Sequence, residues 1–203
     1  MAVAGLVAAA AAGGGLTGCA GSREVEAGFW FEHVTFQSVR LGGAMTAADL
    51  AVIEPVARRE LTQAFAGLPI RFTRNRNALY RLRVMQEVRD QRIRGTWGIA
   101  GQSIEVPGLG GQGEVSFSFL ANGAVAQAPE TATRAEILEA IGRGIGRTAV
   151  HELTHQLLPQ APIHDSTDIR SYEYDSAARH EQYFGEMHWS LARPLLEQRL
   201  GTR

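Results

Sequence analysis

The sequence predicts an α+β fold, in which a small, twisted and mostly β sheet packs on two helices. Three observations lead to this prediction. The chain has 203 residues, of which 45% are hydrophobic and 20% charged, so one domain can bury a core without disulfides. Segments with the two-residue hydrophobic period of strands fall in its first 120 residues. Segments with a helical period fall at 46–66 and 133–158, and an irregular and helical segment follows them.

Residues 1–19 differ in composition from the rest of the chain. They are apolar, rich in alanine and glycine, and free of charge, and they end in Leu16-Thr17-Gly18-Cys19. This ending resembles the lipobox of a bacterial lipoprotein signal. Cys19 is the only cysteine of the chain, as expected for an exported domain whose one thiol carries a lipid. We therefore predict a signal peptide at 1–18, a lipid on Cys19, a tether at 19–27 and a folded domain at 28–203.

The first elements of the domain alternate between strand and helix patterns. Residues 29–36 are dense in aromatic and β-branched side chains, which predicts a first strand. In 46–66 apolar residues recur every three to five positions, which predicts an amphipathic helix. Residues 68–72 and 78–88 have strand patterns again.

Glycine dominates the next segment. Seven glycines fall between Gly95 and Gly113, and none has a phosphate-binding spacing, so we expect a long loop or an irregular hairpin there. Residues 114–120 then alternate cleanly, with Val115, Phe117 and Phe119 on one face. This alternation predicts a half-exposed edge strand.

A long helix is predicted from Thr133 to about Leu158. Thr133 and Glu136 have the spacing of a capping box, which satisfies free amide groups at a helix start. Pro159 ends the helical pattern. Three glycines inside the helix predict close packing of its backbone, namely Gly142, Gly144 and Gly146.

This helix carries the sequence His151-Glu152-Leu153-Thr154-His155. Its two histidines lie about one turn apart on one helix face and can chelate one metal ion. Glu152 is offset from them, so its carboxylate can reach a metal-bound water instead of the metal. The apolar stripe of the helix lies nearly opposite and consists of Ala149, Leu153 and Leu157. The histidine pair is therefore expected to face a cleft.

A catalytic zinc site usually takes three protein ligands and a water, so a third ligand is expected after His155. Five of the six histidines of the chain lie between residues 151 and 188. His164 follows the helix after a short turn at 159–163 that contains two prolines. Such a turn returns the chain toward the open side of the histidine pair, which makes His164 the first candidate.

With these residues the chain resembles the zincin metalloproteases, and within them the metzincin-like group. In that family a helix carries the His-Glu-x-x-His motif, a third histidine follows it, and an edge strand of the sheet precedes it. The resemblance implies a zincin-like α+β fold. It also implies that His151, His155 and His164 bind Zn²⁺ and that Glu152 is the general base.

The chain departs from the family pattern in two ways. Leu158 and Ala161 stand where the family has a glycine and a histidine, and His164 comes nine residues after His155. No methionine stands at the position of the family's Met-turn. The third ligand therefore has alternatives in a later segment, as in glutamate-type and aspartate-type zincins. They are Glu173, Asp175 and Glu181.

The resemblance implies a zinc-dependent peptidase of the bacterial envelope that acts on a peptide or protein substrate. Zinc polarises the scissile carbonyl, Glu152 moves the proton of the metal-bound water to the leaving amine, and the edge strand pairs with an extended substrate. Tyr172 or Tyr174 is a candidate donor to the developing oxyanion, a role that tyrosines play in some zincins. The lipid on Cys19 anchors the chain to a membrane, and Ala20 after it is typical of the periplasmic face of the outer membrane.

An alternative from a different class is a non-catalytic envelope lipoprotein. Its metal site is then structural or vestigial, and the domain serves as a binding module; four protein ligands would favour this hypothesis. Nucleic acid is not expected as a partner, because 20 basic and 21 acidic residues nearly cancel and the arginines are scattered. The sequence leaves the substrate, the cleavage specificity and the oligomeric state open.

Overall fold

The computed structural model describes residues 24–89, 99–106, 110–159, 161 and 163–203. The predicted signal peptide, the predicted lipidation residue Cys19 and the tether up to residue 23 lie outside these residues. Within the described ranges, no helix is both long enough and apolar enough to cross a bilayer.

The described residues form a mixed α/β structure, as the composition and periodicity predict. Its strands are β1 (Val25–Phe31), β2 (Gln37–Ser38), β3 (Gly43–Ala44), β4 (Ile70–Thr73), β5 (Tyr80–Met85), β6 (Gly101–Val106) and β7 (Gly110–Ser116). Its helices are α1 (Ala47–Ala64), α2 (Phe117–Gln127), α3 (Arg134–Leu157), α4 (Glu181–Phe184) and α5 (Ala192–Leu200). The three-residue turn Val39–Leu41 is a 3₁₀ helix.

Five of the strands form one sheet in the order β4-β1-β5-β7-β6. The first four strands in this order run parallel, and β6 closes the edge antiparallel to β7. Helices α1 and α3 pack against each other, and α3 also packs on β5, β6 and β7. The core lies between the sheet and these helices, where Phe29, Leu82, Val115 and Ile145 are fully buried. The sheet therefore supports α3, the helix that carries His151 and His155.

Both long helices begin at capping boxes, of which the one at Thr133 is predicted from the sequence. Thr46 accepts a hydrogen bond from the backbone of Asp49, whose carboxylate bonds back to Thr46, and Thr133 and Glu136 form the same box. Such boxes satisfy amide groups that the first helical turn leaves free. The helix boundaries predicted from periodicity and capping are confirmed to within two residues.

The glycines inside α3 allow the close approach that the sequence predicts. A Cβ at Gly142 would lie 2.7 Å from the Cβ of Val56, and one at Gly146 would lie 2.6 Å from the carbonyl oxygen of Ala57. Both contacts are with α1 and are too short for any side chain. The two helices can therefore pack almost backbone to backbone.

Two strand predictions are wrong in their boundaries. The first strand covers Val25–Phe31 instead of 29–36, so residues 25–27 of the predicted tether belong to the sheet. The segment 114–120 is not an edge strand: β7 ends at Ser116, lies between β5 and β6, and is followed directly by α2. The buried residues Phe117, Leu120 and Ala121 have helical spacing, and their packing against α3 outweighs the local alternation.

The glycine-rich segment is a hairpin in its described part. Strands β6 and β7 pair in register from Gly101 opposite Val115 to Val106 opposite Gly110. The loop interpretation is therefore wrong for 101–106 and 110–113, and the hairpin alternative is confirmed there. The edge strand of the sheet on this side is β6.

Candidate functional site

Three histidines meet on one side of α3. His151 and His155 project from the helix, and His164 belongs to the segment that follows it. The Nε2 atom of His155 lies 3.1 Å from Nε2 of His151 and 3.0 Å from Nε2 of His164. Nitrogens about 2.0 Å from a tetrahedral zinc ion lie about 3.3 Å from one another. The three ligand atoms all lie within 4.8 Å of one another, so the cluster could hold a metal ion. The structure brings together the three residues that were selected from the sequence.

The surroundings of the cluster keep two of its imidazole rings in the neutral form that can bind a metal. Nδ1 of His151 lies 2.9 Å from the carbonyl oxygen of Tyr172, so Nδ1–H donates to it and the Nε2 lone pair is free for an ion. Burial lowers the pKa of His151. Burial, together with the charges of His151 and His164, lowers the pKa of His155 to about 4. Both imidazoles are therefore neutral at neutral pH, which is the form that binds a metal.

Glu152 is buried at the same cavity, with 5% of its surface exposed. Burial raises its pKa to about 8, although the Ser103 hydroxyl partly offsets this effect. The same hydroxyl donates to the backbone carbonyl of Glu152 at 2.7 Å. Among the described residues, no Lys or Arg forms an ion pair with Glu152. At this pKa the side chain is mostly protonated at neutral pH, and a cation bound in the cavity would favour the ionised form that can act as a base.

The glycines of the β6–β7 hairpin make room for this face of α3. A Cβ at Gly101 would lie 2.6 Å from Oε1 of Glu152, and one at Gly113 would lie 3.2 Å from the Cβ of Glu152. A Cβ at Gly111 would lie 2.5 Å from Cγ of Gln156. A side chain at any of these three positions would collide with side chains of α3. The glycine-rich composition is therefore a packing requirement of the helix that carries the motif.

A cavity of about 550 Å³ opens over the cluster. One wall is the β6 segment 99–103, the floor is the face of α3 that carries the histidines, and the other wall comes from 172–182. A cavity of this size holds a small ligand or a few residues of a peptide. The cleft predicted from the histidine face of the helix is therefore present.

The alternative ligands do not join the histidine cluster. Glu173 is buried, and its carboxylate accepts hydrogen bonds from the Ser171 hydroxyl at 2.5 Å and from the backbone N–H groups of Leu191 at 2.9 Å and Ala192 at 2.6 Å. Both oxygens of this carboxylate thus already accept hydrogen bonds from protein donors. Asp175 lines the cavity but is exposed. In the described part of the chain, the group of ligand atoms within 4.8 Å of one another contains His151, His155 and His164.

The two candidate tyrosines both line the cavity. Tyr172 is buried against Trp189, with ring centroids 5.0 Å apart, and burial followed by the charge of Glu60 raises its pKa to about 12. Tyr174 is half-buried, and its ring centroid lies 4.6 Å from the guanidinium carbon of Arg179. Tyr172 therefore stays protonated, and the hydroxyl group of either tyrosine can donate a hydrogen bond.

The sequence analysis missed several polar residues of the cavity. Arg147 lines it and forms a buried ion pair of 2.9 Å with Glu60. It comes four residues before His151, so the helical period could have placed it on the histidine face. Arg179 and Gln182 also line the cavity. They follow an irregular segment, where no periodicity separates a buried arginine from a solvated one.

Comparisons of the chain with models of known protein families, with curated proteins and with solved structures found no match.

Proposed function

We propose that the chain is a zinc-dependent peptidase, held at the bacterial envelope by a lipid on Cys19. The observation that carries the proposal is the convergence of the ring nitrogens of His151, His155 and His164 beside the buried carboxylate of Glu152. Structural zinc sites usually have four protein ligands, whereas catalytic ones have three and a water. In the described residues the cluster offers three, which favours a catalytic site.

The chain's own residues divide the work of hydrolysis. Zinc supplies the Lewis acid that polarises a carbonyl oxygen and lowers the pKa of a water. Glu152 accepts the proton of the attacking water and passes it to the leaving amine. Tyr172 or Tyr174 donates a hydrogen bond to the developing oxyanion. The Tyr172 carbonyl orients His151 through Nδ1.

The substrate lies along β6. This strand pairs with β7 on one side, and its other edge has no strand partner among the described residues. Residues 101–103 of β6 line the cavity, so an extended peptide added to this edge passes the histidine cluster. Strand β6 therefore takes the role that the sequence analysis gives to 114–120.

Metal content and hydrolysis of two variants test the proposal. Glu152→Gln is expected to keep stoichiometric zinc and to lose hydrolysis of a peptide library, because the amide cannot accept the proton. His164→Ala is expected to weaken zinc binding by more than about 100-fold, since even outer-shell partners of a zinc ligand contribute about 10- to 100-fold. His188→Ala is the matched control, because His188 is exposed and bonds to Asp168 instead.

Three results would contradict the proposal. They are undiminished zinc affinity in His164→Ala, equal hydrolysis by Glu152→Gln and the parent, and a zinc-loaded parent that hydrolyses no peptide. The last result would leave the non-catalytic binding module as the remaining hypothesis.

A further inference from the structure

Arg179 is a partly paired guanidinium in the wall of the cavity. Its Nη2 atom donates to the carbonyl oxygen of Ser171 at 2.9 Å and to Oε1 of Gln182 at 3.2 Å. Its Nε and Nη1 atoms are shielded from solvent and have no hydrogen-bond partner in the part of the chain that the structure describes. Buried polar groups of proteins are nearly always hydrogen-bonded. These donors are therefore unusual, and an acceptor brought by a ligand can pair with them once the side chains that cover them move aside.

The guanidinium is held in place before any ligand binds. Nε2 of Gln182 donates to the Gly144 carbonyl at 3.2 Å and to the Thr148 hydroxyl at 3.1 Å, which directs Oε1 of Gln182 toward Arg179. The ring of Tyr174 lies against the guanidinium, 4.6 Å from its central carbon. A group fixed in this way loses little conformational entropy when it binds a ligand.

Arg179 has no ion-pair partner among the described residues. The other arginine of the cavity wall, Arg147, is neutralised by Glu60 at 2.9 Å. No carboxylate among the described residues lies within 4.0 Å of the Arg179 guanidinium, and Asp175, which also lines the cavity, is exposed to solvent. Burial lowers the pKa of Arg179, and the more distant charges of Glu181 and Asp168 act against this effect. An unpaired guanidinium in the cavity wall favours an anion.

We infer that Arg179 binds a carboxylate of the substrate and makes the enzyme selective for carboxylate-bearing peptides; the inference rests on the peptidase function proposed for this cavity. A peptide substrate supplies carboxylates at its C-terminus and on acidic side chains, so a carboxylate is the anion expected in a peptidase cavity. Arginine also suits carboxylates because its planar donors match their oxygens. The carboxylate is either the C-terminus of a peptide or an aspartate or glutamate side chain.

Binding of three peptides to zinc-loaded Glu152→Gln protein tests the inference without hydrolysis. The peptides are N-acetyl-tetraalanine with a free carboxylate, the same peptide as its carboxamide, and the carboxamide with glutamate as the last residue. By calorimetry, the free acid is expected to bind about tenfold or more tightly than the plain carboxamide, the range of a hydrogen bond to a charged group. Tight binding of the glutamate carboxamide would assign the preference to side chains, and weak binding would assign it to the C-terminus.

Variants of Arg179 separate recognition from support of the fold. Arg179→Met in the Glu152→Gln background is expected to abolish the preference for the acid, while Arg179→Lys keeps part of it. Arg170→Met is the matched control, because Arg170 is exposed on the same segment and does not line the cavity. It is expected to keep the full preference.

The inference is overturned if the Glu152→Gln protein with its native Arg179 binds acid and carboxamide equally, a result that needs no change at Arg179. It is also overturned if Arg179→Met keeps the preference, as it would if the metal bound the carboxylate. If Arg179 only supports the fold, Arg179→Met should weaken the binding of both peptides by the same factor. Hydrolysis of the same peptides by the parent chain is measured separately, so a protein that binds with this preference but does not cleave would contradict the proposed peptidase and not the carboxylate site.

Discussion

Gly101→Ala is expected to disable catalysis while leaving the metal site intact. The new Cβ would lie 2.6 Å from Oε1 of Glu152, 2.9 Å from Cγ2 of Thr148 and 3.0 Å from the carbonyl oxygen of Glu114. Ordinary contacts of a Cβ begin near 3.4 Å. The carboxylate is the flexible partner, so it must move by about 0.8 Å. Because the three histidines do not touch Gly101, their geometry stays as it is.

The expected effects follow from this displacement. Misplacing a reacting group by about 1 Å costs about 100-fold in rate, so kcat/KM should fall by about that factor. Overpacking a buried site costs about 1–3 kcal/mol, which should appear as a lower free energy of unfolding. Zinc affinity should match that of the parent. Peptide hydrolysis, urea unfolding and zinc titration measure the three quantities.

Gly111→Ala is the matched control for this prediction. Its Cβ would press on the same helix with similar severity, 2.5 Å from Cγ of Gln156, but not on the Glu152 carboxylate. It should cost similar stability and far less activity. The reasoning is refuted if Gly101→Ala keeps parental activity, or if both alanine variants lose activity in proportion to stability.

Three further predictions concern stability and the oxyanion. Glu173→Gln should destabilise the fold by about 2 kcal/mol at pH 7. Burial raises the pKa of Glu173, but hydrogen bonds from one hydroxyl and three backbone N–H groups outweigh it and leave the pKa below the ordinary 4.5; the stabilisation is therefore lost as the pH falls through the folded pKa. Urea unfolding should show the gap to the parent closing on acidification, and a constant gap would contradict this assignment. Gly144→Ala should lower the unfolding temperature, because its Cβ would lie 2.6 Å from the ring of Tyr183; a more stable variant would refute the packing argument. Of Tyr172→Phe and Tyr174→Phe, one should lower kcat by about 100-fold, and parental kcat in both would exclude the oxyanion role.

The two long helices could be predicted because their signals are local. Each helix begins with a capping box that spans four residues, one at Thr46 and one at Thr133. Apolar residues with a helical period follow each box. Both helices bury the stripe that the period marks. Two members of the histidine cluster are therefore predictable as well, since helix geometry alone puts His151 and His155 on one face.

The exact strands of the hairpin and the start of α2 could not be predicted in the same way, because their causes are non-local. Glycine lowers the strand propensity of β6 and β7, yet Gly101 and Gly113 are required by the side chain of Glu152 on a helix far along the chain. Phe117 and Phe119 alternate like strand residues, but α2 is stabilised by packing on α3. In both places tertiary contact outweighs local preference, and the deciding partner is absent from the segment itself.

The third histidine depends on a contact that no motif spacing describes. The backbone N–H of Asp165 donates to the carbonyl oxygen of Glu173 at 2.9 Å, and Asp165 pairs with Tyr174 in a parallel bridge. This pairing sets His164 beside the segment whose Tyr172 carbonyl receives Nδ1–H of His151. The pairing with 172–174 therefore explains how His164, nine residues after His155, reaches the histidine cluster. The carboxylate of Glu173 anchors that segment to the first turn of α5. Glu173, which is an alternative third ligand by sequence, is thus part of the structure that positions His164.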